Sequence, residues 1–183
     1  MPSYTRSGTN FGAASKSGTG NAWTNEGNVL ADDSSNASSA YATQYVIASS
    51  PSETWLVGPP AGGETATGSP TLSNLSITIK TSVITGGTGT MELYQNGSLV
   101  TTKTYSLTGG GGSQTQTFSG DNAYWGLTLT DIFSLSTISV QFKASGGSGT
   151  VQCQFIGCSY SISQNYTSAG GGRRRAVYVA KMN

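Results

Sequence analysis

The chain of 183 residues contains no histidine. That rules out a Ser-His-Asp or Cys-His arrangement for nucleophilic catalysis. Charge is scarce as well: nine Lys and Arg against eight Asp and Glu make up 9% of residues, where an average globular chain carries about a quarter. There are two cysteines, Cys153 and Cys158. If both lie in one strand, their Cα atoms stand roughly 16 Å apart at ~3.3 Å per residue. A disulfide needs ~7 Å or less, so both read as unpaired, buried thiols. Neither has a basic sequence neighbour to activate it, and two Cys without His do not make a zinc site. No metal or other cofactor is expected. No apolar run approaches the ~20 residues of a membrane-spanning helix. The opening Met-Pro-Ser-Tyr-Thr-Arg leads into no apolar segment, so export by a cleaved signal peptide is not expected.

In place of charge the chain has 28 Ser, 25 Thr and 26 Gly. Hydroxyls and amides keep such a surface wet. Hydrophobic residues are 35% of the total, but they fall into ordered alternation, which disordered chains lack. Residues 74–83 place Leu75, Ile77, Ile79 and Val83 on one face and Asn74, Ser76, Thr78, Lys80 and Ser82 on the other. A period of two over ten residues predicts a half-buried strand. Residues 90–105 predict a hairpin, with Asn96-Gly97 as a type I′ turn. In that register Gln95 faces Ser98, Leu93 faces Val100, and Glu92 and Lys103 are diagonal neighbours. Gln114–Ser119 predicts another short strand, and Asp121–Gly126 a turn carrying Tyr124 and Trp125. Ile138, Val140, Phe142 and Ala144 alternate again. In residues 150–162 the phase switches between Val151-Cys153-Phe155 and Ile156-Cys158-Tyr160-Ile162, which predicts a β-bulge beside Gly157. No convincing amphipathic helix is found. Strands at near-regular spacing with Gly-rich turns predict an all-β fold, an antiparallel β-sandwich of jelly-roll type.

Three regions follow. Residues 1–21 read as a flexible or extended N-terminal arm, 22–165 as the sandwich, and 166–183 as a C-terminal hinge, basic triplet and arm strand. Four of the nine positive charges, Arg173, Arg174, Arg175 and Lys181, lie in the last eleven residues. The rest of the chain is slightly acidic, so the tail is expected to meet an acidic surface. Behind the glycines, Ala176–Ala180 is a strand former. Val177, Tyr178 and Val179 could add to the open edge of a neighbour's sheet.

Eight carboxylates remain for chemistry: Glu26, Asp32, Asp33, Glu53, Glu64, Glu92, Asp121 and Asp131. A pair roughly 5–10 Å apart could hydrolyse a glycoside. Most sit beside Asn, Ser or Gly, where acids cap and turn, so an enzyme is not expected. Trp55, Tyr124 and Tyr166 fall in or near predicted loops and could stack on sugar rings.

The stretch from Ala22 to Ala42 has Trp23, Asn25 and Asn28, then Asp32 or Asp33 in a turn, then Tyr41-Ala42. Further on come Trp125-Gly126-Leu127, Thr130-Asp131-Ile132 and Ile138-Ser139-Val140. In order and spacing this resembles a β-sandwich module of tailed-bacteriophage virion structural proteins, of head decoration, neck, tail accessory or fibre type. Glu26-Gly27-Asn28 stands where that family usually has Pro-Asn-Ala. The resemblance implies a non-enzymatic structural protein on the virion exterior, present in several copies. It brings no catalytic residues. Trp23 is then expected to pack across the end of the sandwich, with Asn25 and Asn28 fixing the loop by side-chain to main-chain hydrogen bonds. The expected partners are other virion proteins and further copies of the chain, as a homo-oligomer. Neither a membrane nor nucleic acid is expected. A host-surface glycan is the partner in the alternative reading, a receptor-recognition module of a tail fibre.

Overall fold

The computed structural model describes residues 3–9, 11–49, 65–129 and 137–167. Among these residues, ten strands form two antiparallel sheets. Their ranges are β1 Ser3–Thr9, β2 Ala13–Ser17, β3 Ala37–Ala40, β4 Tyr45–Ser49, β5 Thr65–Val83, β6 Gly87–Gln95, β7 Ser98–Leu107, β8 Ser113–Gly120, β9 Ile138–Ser145 and β10 Thr150–Thr167. The first sheet runs β1-β10-β5-β8, and β3 pairs with the start of β10 on the side that β1 occupies further along. The second runs β2-β4-β9-β6-β7. This is the all-β sandwich that the alternation predicts.

The core lies between the sheets. The period of two sends Leu75, Ile77, Ile79 and Val83 of β5 inward, together with Val151, Cys153, Ile156, Cys158, Tyr160 and Ile162 of β10. The second sheet answers with Met91, Leu93, Ile138, Val140, Phe142 and Ala144. Each large aliphatic side chain so buried stabilises the fold by roughly 1.5–3 kcal/mol before entropy is counted. Both cysteines are buried, and neither forms a disulfide.

Several local expectations shift. The first of three irregularities in β10 falls at Gln154, where the pairing with β5 skips from Cys153 to Phe155; the others lie between Ser161 and Ile162 and between Ser163 and Asn165. Phe155 is therefore only half-buried, and its ring lies over Gly157, leaving no room for a Cβ there. The glycine marks the ring's resting place, three residues beyond the bulge itself. In the hairpin, Asn96 and Gly97 take φ of 50° and 78°, as a type I′ turn requires, and Gln95 pairs with Ser98. A register shift between Leu93 and Tyr94 then pairs Leu93 with Thr101, not Val100. Glu92 is opposite Thr102 and takes its hydrogen bonds from tyrosines, so no Glu92–Lys103 pair forms.

Residues 1–21 contribute two strands in place of a free arm. β1 pairs with β10 from Ser3↔Asn165 to Thr9↔Ser159, and β2 pairs with β4. Their Ser, Thr and Gly residues give no apolar period because edge strands are held mainly by backbone hydrogen bonds. At the other end β10 continues to Thr167, two residues past the expected boundary.

Candidate functional site

The lead-in loop is built around Trp23. Its ring is fully buried, its centroid 6.2 Å from that of Phe142. Nε1 donates to the Gln44 carbonyl at 2.6 Å. Asn25 has a left-handed φ of 57° and starts a 3₁₀ turn over Glu26–Leu30. Its side chain makes no capping hydrogen bond; what matters is that Asn tolerates that φ. Asn28 does act through its side chain, donating from Nδ2 to the Asn36 carbonyl at 3.2 Å. Asp33 accepts from the Ser35 N–H at 3.0 Å, an Asx turn, and that N–H holds its carboxyl below the usual range. Asp32 instead pairs with Lys80 Nζ at 2.7 Å.

The second signature forms one helical turn, α1, Asn122–Trp125. Asp121 caps it by accepting from the Tyr124 N–H at 3.0 Å, and Gly126 closes it at φ 71°. Trp125 is buried, and its Nε1 donates to the Leu75 carbonyl at 2.8 Å. Tyr124 is 41% exposed. Lys103 Nζ lies 4.1 Å from its ring centroid.

The possible stacking residues do not form one platform. Asn122 accepts from the Leu72 N–H, which places Tyr124 near that point of β5. Tyr166 is not in a loop: it sits in β10 opposite Ala66, roughly 20 Å further along the strand at ~3.3 Å per residue. Trp55 lies outside the described residues. So do Arg173, Arg174, Arg175, Val177, Tyr178 and Val179, and the carboxylates Glu53, Glu64 and Asp131.

Each of the five described carboxylates has a structural partner. Glu26 faces Lys16 at 3.4 Å; hydrogen bonding from its own backbone N–H and then Lys16 lower its pKa, with burial opposing. Glu92 lies on the outer face of the second sheet between two tyrosines. Tyr45 donates to one oxygen and Tyr94 to the other, at 2.9 Å for Tyr94. Burial, then the bond to Glu92, raises both phenols. Lys143 sits 4.5 Å from the Tyr45 ring centroid. Asp32, Asp33 and Asp121 are engaged as above. Among the described residues no three Cys, Asp or Glu gather as a metal site would require.

Among the described residues, one backbone edge is both long and uncharged. β8, Ser-Gln-Thr-Gln-Thr-Phe-Ser-Gly, pairs with β5 from Leu75↔Gly120 to Ser82↔Ser113 without a register shift. Among the described residues it has no strand on its other side. The sequence signal was present, since Gln114–Ser119 is uncharged and strand-forming. Its position at an edge depends on topology, which local patterns do not reveal.

No family model matches the chain, and no curated protein does. Among solved structures it is similar to one described as "CBM4 structure and function", at 14% identity and a TM-score of 0.42, over 69% of this chain and 72% of that one. A likeness at this level carries no inference about function.

Proposed function

We propose that this chain is a non-enzymatic structural protein of a phage particle, multi-copy and on the virion exterior, as a head decoration or a neck or tail accessory. It assembles through its sandwich and its C-terminal segment. The observation that carries the reading is the open edge at β8. An uncharged eight-residue strand with no strand on one side among the described residues is a template for another strand. The described carboxylates support it too, because each holds a turn, a cap, a lysine or a tyrosine pair. The phage assignment itself rests on the resemblance carried by Trp23, Asn25, Asn28, Asp32, Trp125 and Gly126.

The test is incorporation. Particles are purified from cells making the full chain or a version lacking residues 170–183, and the chain is quantified by mass spectrometry. The full chain should be present in many copies per particle. The shortened chain, still folded by circular dichroism, should fall by about ten-fold, as losing one ~1.4 kcal/mol contact would give. A full chain that stays out of purified particles overturns the reading.

A glycan-binding module is the second reading, favoured by the exposed Tyr124 ring beneath Lys103. It requires Tyr124→Ala to abolish binding of the folded chain to host cells.

A further inference from the structure

Edges in this molecule differ in how they are guarded. Natural sheets protect edges with charge, proline, bulges or short strands. β2 is five residues long and carries Lys16. β3 has four residues. β1 has Arg6 at its middle. β7 carries Lys103 and faces a register shift at Leu93/Tyr94. β8 has none of these: eight residues, no charge, no proline and unbroken register.

The direction of its free groups can be read from the pairing. The hydroxyls of Thr78 and Thr117, which are opposite each other, meet at 3.2 Å. Side chains approach this closely in non-hydrogen-bonded pairs, so the N–H and C=O of Thr117 face the open side. Accordingly, the Thr117 carbonyl is met at 3.1 Å by the amide of its own neighbour, Gln116. By alternation Ser113, Thr115 and Ser119 also present their backbone groups outward.

Deepening the assembly reading, on which this rests, we infer that β8 pairs antiparallel with β8 of a second copy of this chain, on a two-fold axis through Gln116. The strand is self-complementary about that point. Thr115 meets Thr117, Ser113 meets Ser119, and Gln114 meets Phe118, so hydroxyls meet hydroxyls on the outer face and no like charges oppose. A foreign strand selected by charge would find no charge here to read. The pairing joins the two first sheets into one continuous sheet. It is isologous and closes as a dimer.

Cross-linking tests the axis. In Gln116→Cys the two introduced sulfurs lie across a non-hydrogen-bonded pair, where Cα atoms stand ~4.5 Å apart, within disulfide range. Under mild oxidation it should form a covalent dimer about ten-fold faster than Gln114→Cys, whose copies face Phe118 and not each other. Thr117→Pro removes an outward N–H without touching the pairing to β5, and should leave a folded monomer. If that variant fails to fold, Thr115→Glu provides the same block through charge repulsion. An oligomer that persists in these variants, with no preference for Gln116→Cys, overturns the β8 dimer and leaves the particle reading standing. A wild-type monomer with no such preference also overturns it. Fast cross-linking by a chain that never enters particles upholds the dimer and sinks the virion reading.

Discussion

Trp125 shows how a residue from a family-like pattern can serve structure alone. It fills the end of the core and its indole N–H satisfies the Leu75 carbonyl. Trp125→Phe keeps an aromatic ring but leaves space and removes the indole hydrogen bond to Leu75. It should cost about 2–4 kcal/mol, read as a lower midpoint in urea unfolding. Tyr105 is different. Its hydroxyl is buried and, like that of Thr81, closes no hydrogen bond of normal length. Burial pushes its phenol far up, Cys153 adds to the rise and Thr81 opposes it. Burial likewise pushes the Cys153 thiol up. A group with a raised folded pKa stabilises fully below its unfolded pKa, and that stability is lost as pH rises. For a phenol the loss begins near pH ~10 and for a thiol near ~8.5. Alkali should therefore unfold the chain. Tyr105→Phe should shift the alkaline midpoint upward while changing stability at pH 7 by less than about 1 kcal/mol. An unchanged alkaline midpoint would contradict the role given to Tyr105.

Among elements, the strands of the core, the hairpin and β8 are legible in the sequence, and the N-terminal edge strands β1 and β2 are not. β5 and β9 announce themselves because each buries one face, so their apolar residues keep a period of two. The hairpin turn was legible because Asn96-Gly97 supplies two positive φ values. Its register was not, because the shift after Leu93 depends on how β6 also pairs with β9. The bulge lies at Gln154, three residues before the Gly157 that the sequence points to, for a similar reason: a glycine is visible in sequence, whereas the ring that covers it is not. Strands β1 and β2 were missed because Ser, Thr and Gly at an edge leave no pattern. The candidate site was hidden in the same way, since an open edge exists only once strand order is known. The turn α1 gives a test at this scale. Asp121→Ala removes its cap and should cost about 1 kcal/mol, measured as a fall in the thermal midpoint. No change would mean that Trp125 alone holds the turn.

At the scale of the whole molecule, charge among the described residues is largely spent internally. Lys16, Lys80, Lys103 and Lys143 each face a carboxylate or a tyrosine ring. Such a body offers partners a hydroxyl-rich surface and backbone edges more than a charged patch. Pairing through β8 should accordingly depend weakly on salt. Strands β1 and β2 belong one to each sheet, so removing residues 1–21 takes a strand from both and does not test an arm alone. The direct test of the account is the mass of the full chain in solution, by light scattering across a range of concentrations. Assembly through its own strands predicts a folded species that doubles in mass as concentration rises. A folded monomer at every concentration, unchanged when residues 170–183 are removed, would contradict it.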